Sequence, residues 1–425
     1  MKQRAVYILK TIAILSLAFL TLFQVYQLWL VNITNRNFFP YLSARFPPSA
    51  PDGQTAWAKP FRILVGNGDG RFTVKFSDTN HAAHWLFGER VLDSVISSGE
   101  FIGVYSTEHV LLSGPVIVYE YAFPMEAETF ARALGHRNAA LLVSQNVNAF
   151  TRIAIIPPQN EEVVTVFFMR EGSAWGFSLQ LGGRGHPAED YTIEVMPDFD
   201  NGIHHAYMDG AFFPVFNEGF VYRYITATNP YQNAAGLLTL SSIRPRIELF
   251  FDNPATINPT ASAGTYTFSN LNTMVRYLPF DVLEYMSYRT IGRVAPANHL
   301  TDFSAALAFI QRDVYVSNET FLAGYEERGR EHVFWFNYIV DGFLMEMTEP
   351  WYTGPMCQDP LRFPIEVVVD HGRVVRYRRI AYSFFPGGES MMPPPEDGAG
   401  NVRLTFPLSI EPVIHLESAL VEPGA

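Results

Sequence analysis

Cysteine is almost missing from this chain: Cys357 is the single one in 425 residues. No intramolecular disulfide can form, so stability has to come from packing even in a compartment that would permit such bonds. A lipoprotein anchor is excluded too, because it needs a cysteine just after the leader. Lysine is nearly as scarce. Lys2, Lys10, Lys59 and Lys75 are the whole set, which rules out an S-x-x-K nucleophile site anywhere beyond position 75. No G-x-S-x-G elbow occurs, and Gly66 to Gly70 lacks both the Gly-Lys-Ser/Thr of a phosphate loop and a GxGxxG opening a helix. Acidic residues are absent before Asp52.

That last absence matters because the same region is strongly apolar. Lys2, Arg4 and Lys10 precede an uncharged stretch from Thr11 to Val31. At about 1.5 Å of rise per residue, roughly 20 residues cross a hydrocarbon core of about 30 Å. The positive flank predicts a cytoplasmic N-terminus, with everything from Asn32 onward outside the membrane. A cleaved signal peptide is the rival reading. It fits less well, since the apolar run is long and Gln24 to Ile33 offers no small-x-small cleavage site. At about 100° per residue, Ala13, Ser16, Leu20, Gln24 and Gln27 fall within roughly 80° of one another. This stripe is the candidate face for a partner helix, because amides in lipid gain from pairing across helices. Alternatively, Gln24 and Gln27 snorkel to the interface beside Tyr26 and Trp29.

What remains is a sizeable, acidic, folded part. The chain is 48% apolar and 15% aromatic, with 30 basic and 42 acidic residues. Setting aside Lys2, Arg4 and Lys10 leaves 27 basic residues against 42, a surface that repels nucleic acid and anionic polymers. The pattern predicts an α+β ectodomain of about three units, with antiparallel sheets packed by few helices. Residues 1–10 form a cytoplasmic tail, 11–31 a transmembrane helix, and 32–60 a linker whose prolines prevent a sustained helix. Residues 61–150 form an N-terminal α+β unit, with a hairpin at Gly66 to Gly70 and helices over 82–98 and 125–134. Residues 151–286 form a β-rich unit, including strands at Ile247 to Phe251 and a surface loop at Asn253 to Ala263. Residues 287–388 form a third unit, in which Leu300, Phe303, Leu307 and Ile310 mark a helix capped by Thr301 or Asn298. Residues 389–425 are a Pro-rich tail.

Chemical motifs mostly reduce to structural roles. His81 and His84 could share a helix face, but nothing completes zincin spacing, and they read as cap and surface residues. Asp198, Asp200 and Gly202 echo part of a calcium loop without its bidentate glutamate. Cys357 has no following helix to lower its pKa. Arg373, Arg376, Arg378 and Arg379 alternate along one strand and read as solvating a sheet edge. A dispersed Ser, His and Asp triad stays open in a sequence with 11 histidines.

Longer runs resemble a known family. Tyr119-Glu120-Tyr121-Ala122-Phe123-Pro124 precedes a helix, and Leu249 through Phe251-Asp252-Asn253-Pro254 leads to Thr265-Tyr266-Thr267-Phe268 and Leu283-Glu284-Tyr285. With the single basic-flanked anchor, these resemble the YycH family of Gram-positive bacteria. Ala305 to Gln311, Val333 to Tyr338, Ile365-Glu366-Val367 and Gly372 to Tyr377 are similar to the C-terminal module shared with its companion YycI and related to PepSY-like folds. The resemblance implies a non-enzymatic regulator of the cell-wall sensor histidine kinase WalK, also called YycG, working beside a YycI-like partner. It implies no catalytic residue, metal or cofactor. The alternatives are an anchored extracytoplasmic enzyme, or a protease inhibitor or chaperone of the cell envelope. Met391 to Gly400 matches nothing in the family pattern.

Overall fold

The structure is a computed structural model that describes residues 53–68, 70–76, 82–136, 143–157, 163–180, 203–208, 210–214, 222–288, 298–316, 320–340, 343–346, 360–390 and 413–415. The expected tail, transmembrane helix and candidate stripe at 1–31 lie outside these residues, as do His81, Asp198, Asp200, Gly202 and Cys357. Among the described residues, no helix is long and apolar enough to cross a membrane.

Hairpin pairing builds the first sheet. Its strands are β1 (Arg62–Asn67), β2 (Arg71–Phe76), β3 (Glu100–Ser106), β4 (Pro115–Glu126), β5 (Ala149–Ile156), β6 (Val163–Arg170), β7 (Ser173–Gln180), β8 (Ile203–Met208) and β9 (Ala211–Pro214). They lie in the order β3-β7-β6-β5-β4-β1-β2-β8-β9, and every pairing is antiparallel. The first helix of the described chain, α1 (Gly53–Trp57), lies just before β1. On one face of the sheet lie α2 (Ala82–Ser98) and α4 (Ala127–Ala133), and on the other α3 (Thr107–Leu112). Ile63 and Val65 therefore pack toward Trp85, Leu92 and Val95, while Leu64 packs with Val110 and Leu111. Both faces being covered explains why β1 reads as a continuous apolar run rather than an alternating one.

After β10 (Tyr222–Thr228), helix α5 (Leu240–Ile247) opens with a capping box between Thr239 and Ser242. The second large sheet contains β11 (Asn258–Ser262), β12 (Thr265–Ser269), β13 (Thr273–Leu278), β14 (Val282–Ser287), β15 (Thr320–Arg328), β16 (Glu331–Val340), β17 (Phe343–Glu346), β18 (Ile365–Asp370), β19 (Arg373–Ile380) and β21 (Val413–His415). Its main path is β11-β12-β13-β14-β19-β18-β16-β17-β21, with β15 on β16. Only the β17–β21 pairing is parallel. Strand β20 (Ser383–Ser390) pairs with β10 in a separate ribbon. Helix α6 (His299–Ile310) lies against β16, β18 and β19 through Leu300, Phe303, Ala306, Phe309 and Ile310. Its cap is Asn298, whose side chain accepts from Leu300 N. Few helices on mostly antiparallel sheets make the α+β class of the described chain.

Several local expectations differ from the structure. The boundary at 150–151 falls inside β5, which bonds to both β4 and β6, and the boundary at 286–287 falls inside β14, which bonds to β19. Strands assigned to a middle unit therefore divide between two sheets, because hairpin ladders leave no break in composition where a sheet continues. Ile247 to Phe251 is a helix end followed by a 3-10 turn, Glu248–Phe250. Ile247, Phe250 and Phe251 are buried at helical spacing rather than alternating. Within Asn253 to Ala263, residues Asn258–Ser262 form an edge strand exposed along its whole length, and its polar composition reads as a loop. The linker region holds α1, a helix short enough to follow the proline at 51.

Candidate functional site

The 32–60 region delivers its last residues into the seam between the two large sheets. Trp57, at the end of α1, packs edge-on against Phe303 of α6 at 5.1 Å, Tyr325 of β15 at 5.4 Å, Phe334 of β16 at 6.2 Å and Phe123 of β4 at 6.0 Å. One indole thus touches elements from both sheets. Edge-to-face geometry adds roughly 0.5–1.5 kcal/mol per pair beyond area burial. Next to it, Ala58 O accepts from the Tyr121 hydroxyl at 3.0 Å, and Phe61 lies 5.3 Å from Phe321 of β15. The chain just before β1 is therefore fixed to both sheets.

Two histidines border this aromatic cluster. The His299 ring is 5.8 Å from Trp57, and both Trp57 Nε1 and His299 Nε2 are buried without a hydrogen-bond partner. Burial first, then the neighbouring His332, lowers the His299 pKa, which favours the neutral ring. Burial pushes the Tyr325 hydroxyl up to about 12, aided by Glu327 and Glu126. His332 Nδ1 lies 2.5 Å from Asp302 Oδ2, and Asp302 also accepts from Gly372 N. Gly372, at φ +75°, occupies the left-handed position of the β18–β19 turn. Asp302 thereby ties α6 to β16 and to that turn. An Asp–His pair spent on such ties, enclosed by aromatic rings, fastens a helix to a sheet.

A Ser, His and Asp constellation does exist on the first unit. His136 Nε2 is 2.7 Å from Asp93 Oδ1, and His136 Nδ1 is 3.4 Å from Ser97 Oγ. The geometry argues against a nucleophile. Ser97 Oγ already donates to Asp93 O at 2.8 Å, and both residues sit in the last two turns of α2. That end presents carbonyls and the negative pole of the dipole, the reverse of what a developing oxyanion needs. The three residues join the end of α2 to the turn after α4.

The charged clusters are interior and paired. Arg62 and Arg152 flank Glu120 of β4, with Arg152 Nε at 2.7 Å. Burial alone raises the Glu120 pKa, but the two guanidiniums outweigh it and hold the carboxyl below its usual range. The arginine run of β19 corrects the sheet-edge expectation: β19 lies between β14 and β18. Arg378 donates to Glu366 at 2.7 Å and Arg376 to the same carboxylate at 3.0 Å, while Arg379 is fully buried. The acceptor of Arg376 and Arg378 is on the neighbouring strand β18 and that of Arg379 is Asp313, so the strand's own sequence could not reveal them. His84, expected at the surface, is buried, and Tyr119 donates to its carbonyl at 3.0 Å. Among the described residues, no group of three His, Cys, Asp or Glu could hold a metal ion. Sequence reasoning missed Trp57; its signal was a tryptophan inside a region otherwise read as linker.

Among the described residues, these features define the class: two largely antiparallel sheets joined at an aromatic seam, with the polar clusters used for internal fastening. No family model matches the chain, and no curated protein matches it. Among solved structures, it is similar to the crystal structure of YycH from Bacillus subtilis, with 8% identity, a TM-score of 0.46, and coverage of 81% of this chain and 85% of that one. At such identity no residue role passes from one protein to the other.

Proposed function

We propose that the chain is a single-pass membrane protein, N-terminus in the cytoplasm, whose extracytoplasmic part regulates a cell-wall sensor histidine kinase by direct contact. A YycI-like companion is the second partner in this reading. The basic-flanked run Thr11 to Val31 and the resemblance to the YycH family support it. The observation that carries it is Trp57. The tether from the membrane anchor ends in a ring wedged between both sheets. In this reading, Trp57 is where a displacement of the anchor helix beside a kinase helix would meet the folded part. Regulation then has a physical path: membrane contact, tether, seam, ectodomain surface.

The test uses the full chain in its own membrane. Removing the protein should change phosphorylation of the response regulator that the kinase serves. Trp57→Ala should leave co-isolation with the kinase intact while altering that phosphorylation. If neither the deletion nor Trp57→Ala changes it, the regulator reading fails.

A further inference from the structure

Three of the four strands that end the main paths of the two large sheets can be compared. β9 closes with Pro214, and β11 carries Pro259 among small polar residues. Proline and polar side chains are the usual protection of an edge that would otherwise pair with another chain. β3 has neither. Its sequence is Glu-Phe-Ile-Gly-Val-Tyr-Ser, and Phe101, Ile102, Val104 and Tyr105 are 41%, 42%, 58% and 38% exposed. Among the described residues, β3 pairs with β7 on one side only.

The edge is also formed in advance. Phe101 packs on Phe177 at 5.5 Å and Tyr105 on Phe167 at 5.4 Å, so both rings are held by the sheet interior. Gly103, at φ +136°, sits where the β3–β7 register shifts between Phe101 and Gly103. That bulge throws Phe101 and Val104 toward one face and Ile102 and Tyr105 toward the other. An added strand would extend both apolar faces at once. Among the described residues, the charges at the two ends of the edge are mainly acidic. Exposed Glu100 stands at its start, and exposed Glu108 and Glu171 stand at its end. The neighbouring Arg170 is engaged by Glu171 at 2.9 Å.

We propose that β3 is a docking edge for an extended, apolar segment of a partner protein that carries basic residues at both ends, bound by strand addition. Backbone hydrogen bonds supply the attachment, the four apolar side chains supply buried area, and the acidic ends select the charge. A second copy of this chain fits less well, since its strand would bring Glu100 and the same acidic surroundings to an edge that is already acidic.

The probe is a fluorescent peptide, Lys-Val-Thr-Val-Thr-Val-Lys, titrated into the detergent-solubilised full chain and followed by anisotropy. Its twin has glutamate in place of both lysines. Saturable binding of the lysine peptide is expected, weakened about tenfold or more in Val104→Lys and with the glutamate twin. Leu271→Lys, at a position 97% exposed on the other sheet, should bind like the native chain. Equal thermal midpoints establish that the variants fold. Equal affinity of Val104→Lys and the native chain, no binding of the lysine peptide, or concentration-dependent dimerisation that Val104→Lys abolishes would each overturn the proposal. Co-isolation of the kinase is scored separately: if the native chain recovers the kinase but does not bind the lysine peptide, the docking edge falls and the regulator reading stands.

Discussion

Arg379 donates through Nε to Asp313 at 2.6 Å, and neither side chain is reached by solvent. Arg379 also donates to the Tyr231 hydroxyl at 3.0 Å, while the Tyr377 hydroxyl donates to Asp313 at 3.1 Å. This network joins β19, the turn after α6 and the segment after β10. Removing one charge strands the other. Asp313→Ala should cost about 3–5 kcal/mol of unfolding free energy, whereas Arg379→Met with Asp313→Leu should cost less than the sum of the single changes. Chemical denaturation of the variants measures both. Additive losses would mean that the two residues act independently.

The Glu120 cluster predicts a response to acid. Its folded pKa lies below the ordinary carboxylate value of 4.5, because Arg62 and Arg152 overcome the opposing effect of burial. A depressed folded pKa contributes stability that is present above the unfolded value and lost as pH falls through the folded one. Stability should therefore decline as pH falls below about 4.5 toward the folded pKa, with Glu120 contributing to the loss. Glu120→Gln should be less stable at neutral pH and show a shallower acid limb in urea midpoints measured from about pH 6 to pH 3. An unchanged slope would assign the acid sensitivity elsewhere.

The parts of the fold that were legible in the sequence are those set by local rules. The hairpin at Gly66 to Gly70, helix 82–98 and the Asn298-capped helix each carry their own signals in turn glycines, apolar period and cap. What was hidden depends on partners carried by other elements. Arg378 and Arg379 look like surface charge until Glu366 and Asp313 are brought beside them. Trp57 looks like part of a tether until Phe303 and Tyr325 arrive from more than two hundred residues away. The candidate edge on β3 was missed in the sequence, although Phe101 to Tyr105 is apolar apart from Gly103. Only the ladder shows that it ends a sheet.

The Ser97, His136 and Asp93 group offers a sharp check on chemistry. Because Ser97 Oγ is committed to a backbone carbonyl at the negative end of α2, the purified chain should leave peptidoglycan and casein uncut. Ser97→Ala should change stability by about 1 kcal/mol or less. Turnover by the native protein that disappears in Ser97→Ala or His136→Ala would replace the regulator with an anchored hydrolase.

The membrane stripe gives the most direct test of partner contact. If Ala13, Ser16, Leu20, Gln24 and Gln27 pack against a kinase helix, the two amides should find hydrogen-bond partners there that leucine cannot replace. Each such bond is worth about 1 kcal/mol, enough for a several-fold change in association within the bilayer. Gln24→Leu with Gln27→Leu raises apolarity, so insertion should be preserved while kinase recovery from mild detergent falls. Leu22→Ala with Leu28→Ala, off the stripe, should recover the kinase at the native level. Equal recovery from both double variants at equal expression would show that the amides are not the contact and would place partner recognition in the exported part of the chain.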